Sequence, residues 1–269
     1  MPTPKKIRPI TPGQKNAVVR KNFSRAGVNL SHPPTPDYTR FGRHQELIRF
    51  LGSHFIPKIK KNKPIQVHEV GVGLTAQRIN KNDVSFEPHE LSALFNKHHV
   101  NARIIAFDIH DKPLKAVQSS TRVQSVGTPF YHEDQNYAKF LGLRKGKRSY
   151  GFPKKVRERV HVVRAMATHL PVNPKKKADL SIMLNVLNHF PPEMRRIAFR
   201  ELVQNTKVGG VIAITRLRRP PLRDLKKMGL TKVKEAEDSI ILERGGFYPP
   251  SIKSDYQILR KNKNVKLVE

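Results

Sequence analysis

Two acidic residues and a pair of glycines carry the chemistry that stands out in this sequence. Glu69 lies near the end of an apolar run that begins at Ile65, and Gly71 and Gly73 follow directly. A short run rich in β-branched residues and closed by glycines predicts a buried strand followed by a tight turn. A turn without Cβ atoms lets the backbone come close to a ligand, although an ordinary strand-to-helix turn has the same composition.

A second acid, Asp108, ends the next predicted strand, 103–109. In a doubly wound α/β sheet, a carboxylate at this place can accept hydrogen bonds from both vicinal hydroxyls of a ribose. Alternatively, Asp108 or Asp111 caps the helix that follows. The dinucleotide fingerprint needs a further glycine after Gly73, which the sequence lacks, so a site that cradles a pyrophosphate is disfavoured.

Hydrophobic periodicity predicts the elements that position these residues. We expect a Rossmann-like, doubly wound α/β fold: a mostly parallel sheet, helices on both faces and an antiparallel edge hairpin at the C-terminus. The expected parallel strands are 65–70, 103–109, 160–163, 178–183 and 211–215, and the expected hairpin strands are 239–243 and 255–259. The expected helices are 45–59, one starting in 75–80, one capped by Ser85 with Leu91, Leu94 and Phe95 buried, and one starting at Pro191–Pro192 with Met194, Ile197, Ala198 and Leu202 buried. Gly209–Gly210 is expected to end the last connection.

Composition divides the chain into an arm and one domain. Residues 1–37 are basic and proline-rich and predict a mobile N-terminal arm, whereas 38–269 predict a single α/β domain. Within that domain, 119–159 reads as a polar, irregular insertion in which aromatic residues alternate with bases. Such a mixture suits single-stranded nucleic acid, or a lid that folds over a small-molecule pocket.

Net charge and composition limit the partners. The chain has 52 Lys and Arg against 21 Asp and Glu, a formal net charge of +31, which favours polyanions or reflects a general compositional bias. The absence of cysteine excludes disulfides and thiolate metal sites, and the histidines show no ligand spacing, so we expect no metal. No apolar targeting segment or membrane-length run is present, so we expect a soluble, cytoplasmic protein.

Three blocks together resemble the class I S-adenosylmethionine-dependent methyltransferases. They are H-E-V-G-V-G at 68–73, A-F-D-I at 106–109, and D-L-S-I-M-L-N-V-L-N-H-F at 179–190 with V-G-G-V-I-A-I at 208–214. Within that class, the chain is most similar to the CheR-type chemotaxis receptor glutamate methyltransferases. T-R-F-G-R at 39–43 resembles that family's Thr-x-Phe-Phe-Arg helix, and F-D-I-H-D-K-P at 107–113 is similar to its second-strand block.

The resemblance implies S-adenosyl-L-methionine as cofactor and a methyl acceptor that is a protein side chain or another macromolecule, an acidic protein or RNA. Glu69 would face the methionine amino group, Asp108 would hold the ribose, and Asn185 would line the transfer site. The residues implied in cofactor binding are Glu69, Gly71, Gly73, Asp108, Ile109, Thr168 and Asn185. Asn185 and His189 are the catalytic candidates; His189 or His169 would serve as base for a nitrogen or hydroxyl acceptor, unless each only packs or caps.

The sequence departs from the CheR-type pattern at several places; the asparagine expected after the third strand, for example, falls on Ala167 or Thr168. The family's acidic pair after the glycine turn is Ala76–Gln77 here, its arginine before the Asn-Val block is Leu184, and its tyrosine is His189. These departures motivate one alternative, an RNA-binding protein or RNA methyltransferase on a degenerate CheR-like scaffold. A nicotinamide dehydrogenase is a second alternative, which the missing third glycine disfavours. Whether the protein is a methyltransferase or an RNA-binding protein, we expect the bases of 141–159 and 216–227 to form one basic surface beside the methyl-transfer site.

Overall fold

The computed structural model describes most of the predicted domain. The described residues are 41–42, 44–59, 63–73, 75–76, 83–84, 86–124, 131–146, 149–171, 176–184, 186–187, 190–215, 229–238 and 254–262. The predicted arm (1–37), the basic segment 216–227, the predicted strand 239–243 and the catalytic candidates Asn185 and His189 lie outside them.

The elements alternate between strands and helices. The helices are α1 (Gln45–Phe50, continued by a π-helix, Leu51–Phe55, and a 3-10 turn, Ile56–Lys58), α2 (Glu87–Lys97), α3 (Asp111–Ser119), α4 (Tyr131–Phe140), α5 (Lys154–Arg157) and α6 (Pro192–Gln204). The strands are β1 (Ile65–Val70), β2 (Thr75–Ala76), β3 (Asp83–Val84), β4 (Ala102–Asp108), β5 (Arg122–Gln124), β6 (Arg144–Lys145), β7 (Ser149–Gly151), β8 (Val160–Arg164), β9 (Ala178–Met183), β10 (Thr206–Thr215), β11 (Leu230–Asp238) and β12 (Ser254–Lys261).

The main sheet confirms the predicted Rossmann-like fold. Its seven strands lie in the order β11-β12-β10-β9-β1-β4-β8. The pairs β8–β4, β4–β1, β1–β9 and β9–β10 are parallel, and β12 is antiparallel to both β10 and β11. The strand order reverses between β1 and β9, which is where a doubly wound sheet opens its ligand crevice.

The sheet buries apolar side chains on both faces. Val67 of β1, Ile104 of β4 and Val211 of β10 belong to one core cluster, which they share with residues of α1 and α2. Because side chains alternate along a strand, the buried Ile212 and Ile214 point to the other face, where α6 packs against β10. The sheet therefore carries helices on both faces, as predicted.

The insertion 119–159 is more regular than its sequence suggests. It contains α4 and a second sheet of three antiparallel strands in the order β5-β7-β6. Tyr137, Tyr150 and Phe152 are buried in the main core; the Phe152 ring lies 5.2 Å from that of His89 on α2. These rings stabilise the domain and are unavailable to stack on nucleic acid. The prediction of an irregular segment is wrong, because the insertion forms a helix and a sheet.

Three local predictions also need correction. Thr75–Ala76 pairs with Asp83–Val84 as a short antiparallel ladder, so the helix expected to start in 75–80 does not begin at Thr75. The N-cap of α2 is Phe86 rather than Ser85. Helix α6 buries Ala198, Phe199, Leu202 and Val203, whereas Met194 is half-buried and Ile197 is exposed.

The second glycine pair lies inside a strand. Gly209 and Gly210 form part of β10, whose register with β9 shifts between Thr206 and Val211. A Cβ on Gly210 would approach the carbonyl oxygen of Lys207 to 2.9 Å. These glycines therefore permit a bulge within β10 and do not end the helical connection.

Among the described residues, no helix is both long and apolar enough to cross a membrane.

The C-terminal hairpin differs from its prediction in place. Its strands are β11 and β12, so the expected strand 255–259 is confirmed, but its partner is Leu230–Asp238. Strand β12 lies inside the sheet, and β11 forms the edge. Charged residues dominate β11, as is common for edge strands, and this composition hid the strand from hydrophobic periodicity.

Candidate functional site

Neighbouring strands bring the two acids to the same edge of the sheet. Glu69 of β1 lies opposite Ala106 of β4, and Asp108 is the last residue of β4. The Cα atom of Asp108 therefore lies about 7 Å farther along the strand direction than that of Glu69. Val67 and Ile104, two and four residues earlier, face the α2 side, so both acids point to that same face.

Glu69 is a buried carboxyl group without a hydrogen-bond partner. Its side chain is 2% exposed, and neither of its oxygens makes a hydrogen bond within the described part of the chain. Burial raises the pKa of Glu69 well above its usual value, and the nearby Glu87 and Glu90 of α2 raise that pKa further. An ionised carboxylate at this position needs a cationic partner.

The neighbour Glu90 is held by two other parts of the chain. The amide of Gly42 donates to its Oε1 at 3.1 Å, and the hydroxyl of Tyr137 donates to its Oε2 at 2.7 Å. Tyr137 belongs to α4, so this carboxylate connects α2, the segment before α1 and the insertion. Because Glu90 is fixed, its charge stays close to Glu69.

Asp108 is oriented by the backbone around it. The amide of His110 donates to Asp108 Oδ1 at 2.9 Å, and the amides of Gly73 and Ile109 also donate to this carboxylate. Burial raises the pKa of Asp108, and these three hydrogen bonds oppose the shift. The N-cap of α3 is His110, so neither Asp108 nor Asp111 is the capping residue.

The glycine turn lies beside the ends of β4 and β9. Gly71 and Gly73 have φ values of +80° and +63°, which favour glycine strongly. A Cβ on Gly71 would lie 2.1 Å from Cγ2 of Val186, a residue that follows β9. Glycine is thus required at position 71 by packing within the protein, while Gly73 binds the carboxylate of Asp108.

Arg164 is a site residue that the sequence analysis did not single out. Its Nε donates to the carbonyl oxygen of Ile109 at 3.1 Å, and its Nη1 contacts Oδ2 of Asp111 at 3.1 Å. The amide of Ala165 donates to the carbonyl oxygen of Asp108. Arg164 therefore fixes the loop that carries Asp108 and Ile109. This role becomes visible only from the position of Arg164 opposite Asp108 in the sheet.

The remaining predicted site residues are less closely joined to this edge. Thr168 is buried in the loop after β8, and its hydroxyl lies 3.2 Å from Nδ1 of the exposed His169 rather than at the carboxylate of Asp108. Asn185 and His189 fall outside the described residues, so their roles remain predictions. Within the described ranges, no group of three or more His, Asp or Glu side chains is arranged to hold a metal ion.

No known family profile matches the chain, and no curated protein matches it. Solved structures of similar fold include magnesium protoporphyrin IX methyltransferase from Synechocystis PCC 6803 with bound S-adenosylmethionine (14% identity; 91% of this chain and 96% of that chain covered; TM-score 0.45). The N-methyltransferase NodS from Bradyrhizobium japonicum WM9 has 12% identity, coverage of 82% and 95%, and a TM-score of 0.44. The 1,6-didemethyltoxoflavin-N1-methyltransferase from Burkholderia thailandensis, with bound S-adenosylhomocysteine, has 15% identity, coverage of 97% and 95%, and a TM-score of 0.45.

These neighbours are class I S-adenosylmethionine-dependent methyltransferases acting on various substrates. None of the three is a CheR-type enzyme by its description, so the similarity to that branch remains a prediction from the sequence.

Proposed function

We propose that the protein binds S-adenosylmethionine at the edge formed by β1, β4 and β9 and transfers its methyl group to a macromolecular acceptor. One observation carries this proposal. The buried, unpaired carboxyl group of Glu69 and the preoriented carboxylate of Asp108 lie on one face of the sheet, beside a turn with left-handed glycines.

The chemistry of this edge fits the two ends of that cofactor. The methionine ammonium group would satisfy Glu69, which has no donor from the described chain. The ribose hydroxyls would donate to Asp108, whose orientation is already fixed by backbone amides. A dinucleotide would instead place a pyrophosphate beside the glycine turn, where the acidic group of Glu69, Glu87 and Glu90 repels it. The dehydrogenase alternative is therefore the weaker one.

The bound cofactor would supply a methyl group that is attached to a sulfonium sulfur. After the transfer, that sulfur would be part of a neutral thioether, which is a good leaving group. The contribution of the protein is to position donor and acceptor, and such positioning is worth up to about 7–11 kcal/mol. Glu69 and Asp108 would hold the two ends of the donor, and Arg164 fixes the loop that carries Asp108. Asn185 and His189 remain the candidates beside the acceptor.

For the acceptor, we propose an acidic protein or RNA, because the net charge of +31 favours polyanionic partners. Receptor-type glutamate methylation is the narrower form of this proposal. Ala76 and Leu184 replace that family's acidic and basic positions, and Leu184 is buried, which argues for a different acceptor. RNA binding by a catalytically silent scaffold is the main alternative.

Calorimetry with S-adenosylmethionine, S-adenosylhomocysteine and NAD tests the cofactor. We expect the first two to bind and NAD not to bind. Asp108→Ala should weaken S-adenosylhomocysteine by about 10- to 100-fold, since hydrogen bonds to charged groups contribute about 1.5–3 kcal/mol. Glu193→Ala, an exposed acid on α6, is the matched control. Binding of NAD alone, or of none of the three, would contradict the proposal.

The acceptor class needs a separate experiment. The protein is incubated with methyl-labelled cofactor and a cell lysate, and the labelled product is then treated with nuclease or with protease. Loss of label from the macromolecular fraction with only one of these enzymes identifies RNA or protein. Label that is found only in the small-molecule fraction, before and after either treatment, would exclude a macromolecular acceptor.

A further inference from the structure

We propose that the outer face of the small sheet β5-β7-β6 binds the phosphate backbone of an RNA duplex. This surface belongs to the insertion and lies outside the cofactor site described above. The inference does not require methyl transfer, because binding of RNA and binding of S-adenosylhomocysteine are measured separately.

The register of the small sheet places two arginines on one face. Arg122 of β5 and Arg144 of β6 both lie opposite Gly151 of the central strand β7. Residues directly opposite one another in an antiparallel sheet point to the same side. The two arginines therefore stand on either side of Gly151, with their Cα atoms about 10 Å apart, which is two strand spacings.

The two faces of this sheet have opposite character. In the next row, Val123 and Tyr150 are buried in the main core. Side chains alternate along each strand, so the row of Arg122, Gly151 and Arg144 points away from the core. Both arginines are exposed, which identifies this face as a solvent-facing surface.

The floor between the arginines is open and small. A Cβ added to Gly151 would have no atom within 4 Å. The neighbouring outer-face position on β7 is Ser149, which is half-buried and lies across from Gly146. Glycine and serine leave room for a ligand backbone to lie between the two guanidinium groups.

The charge of this surface is largely uncompensated. Arg122 and Arg144 make no ion pair within the described chain. Three further exposed bases, Lys154, Lys155 and Arg157, follow β7 in the chain on α5, which packs against α2. The nearest acid in sequence, Glu158, pairs with Lys154 at 3.7 Å. A field of one sign over a flat surface attracts a polyanion.

The kind of partner follows from what this surface has and lacks. Guanidinium groups bind phosphate through paired N–H donors, and two arginines whose Cα atoms lie about 10 Å apart can each contact a separate phosphate. Tyr150 of the small sheet and the adjacent Phe152 are buried, so neither ring can stack on unpaired bases. Among the described residues, this surface also has no exposed large apolar side chain that could anchor a protein partner. A duplex contacted through its backbone fits best, and the Ser149 hydroxyl can meet a ribose 2′-hydroxyl of RNA.

The salt dependence of binding to a labelled RNA duplex tests this surface. Affinity is measured by fluorescence anisotropy between about 50 and 200 mM salt, where each neutralised phosphate contributes about 0.9 to the log–log slope. The variant Arg122→Gln/Arg144→Gln should lower the slope by about two. The control Arg196→Gln/Arg200→Gln removes equal charge from α6 and should leave the slope nearly unchanged.

A second variant separates local contact from long-range charge. Gly151→Ile keeps every charge, and its side chain fits the open space and the strand conformation. It should weaken RNA binding by obstructing the floor, while its thermal midpoint and its affinity for S-adenosylhomocysteine stay at wild-type values. An unchanged slope in the arginine variant, equal losses in the α6 control, full binding by Gly151→Ile, or equal affinity for a DNA duplex would each overturn the proposal.

Discussion

Glu69→Gln is expected to stabilise the cofactor-free protein at neutral pH while weakening its affinity for the cofactor. In the free protein, the Glu69 carboxyl group is buried beside Glu87 and Glu90 and has no hydrogen-bond donor among the described residues. Its ionised form is therefore costly, and glutamine avoids that cost with nearly the same shape. In the complex, the same carboxylate would be the partner of the methionine ammonium group, which an amide replaces poorly.

The sign and size of the pH effect follow from linkage. The folded state raises the pKa of Glu69 above its unfolded value, so unfolding releases a proton between these two pKa values. The free energy of unfolding of the wild type therefore falls, relative to the variant, as the pH rises above about 4.3. The slope is about 1.4 kcal/mol per pH unit until the folded pKa is reached.

Urea denaturation of the wild type and of Glu69→Gln at several pH values between about 5 and 7 measures this difference. Glu193→Gln is the control, because Glu193 is exposed on α6 and its replacement should leave the slope unchanged. The same burial predicts that cofactor binding releases a proton, so the affinity for S-adenosylhomocysteine should rise up to tenfold per pH unit in this range. A wild-type slope in Glu69→Gln, or wild-type affinity for S-adenosylhomocysteine, would refute the reasoning.

Three further substitutions test the construction of the site. Gly71→Ala should cost about 1–3 kcal/mol of stability in urea denaturation, because its Cβ meets Val186 at a φ of +80°; Val186→Ala should recover part of that loss. Arg164→Met should raise the dissociation constant of S-adenosylhomocysteine several-fold by freeing the Ile109 loop, whereas Arg164→Lys should recover part of the affinity. Tyr137→Phe should lower stability by about 1–2 kcal/mol, since it removes a donor from the buried Glu90, and unchanged stability would contradict that role.

The strands that carry the acids could be predicted because their signal is local. The apolar runs 65–70 and 178–183 appear as β1 and β9 with the same bounds, and 103–109 differs from β4 by a single residue at each end. These strands are largely buried, and apolar residues recur along each of them, although β1 also carries Gln66, His68 and Glu69. The approach of Glu69 to Asp108 follows from the rule that parallel strands end at the same edge.

The features that sequence reasoning missed depend on contacts between distant segments. The packing of Val186 on Gly71, the acidic neighbours of Glu69 on α2, and the role of Arg164 arise only when the strands are assembled. The φ of +63° at Gly73 strains any other side chain there, and no local sequence pattern shows the sign of that angle. Local composition also misled in the insertion, where bases between aromatic residues concealed a sheet with a buried inner face.

The fixed carboxylate of Glu90 connects the two proposed binding surfaces. It accepts the hydroxyl of Tyr137 on α4, and α4 leads directly into β6 of the small sheet. Since Glu90 also raises the pKa of Glu69, a shift of α4 on RNA binding would change the electrostatic cost of ionising Glu69. Any such coupling must be reciprocal: RNA should change the affinity for S-adenosylhomocysteine by the same factor by which S-adenosylhomocysteine changes the affinity for RNA. Tyr137→Phe should reduce that factor, and a factor that survives this substitution would show that Glu90 does not transmit it.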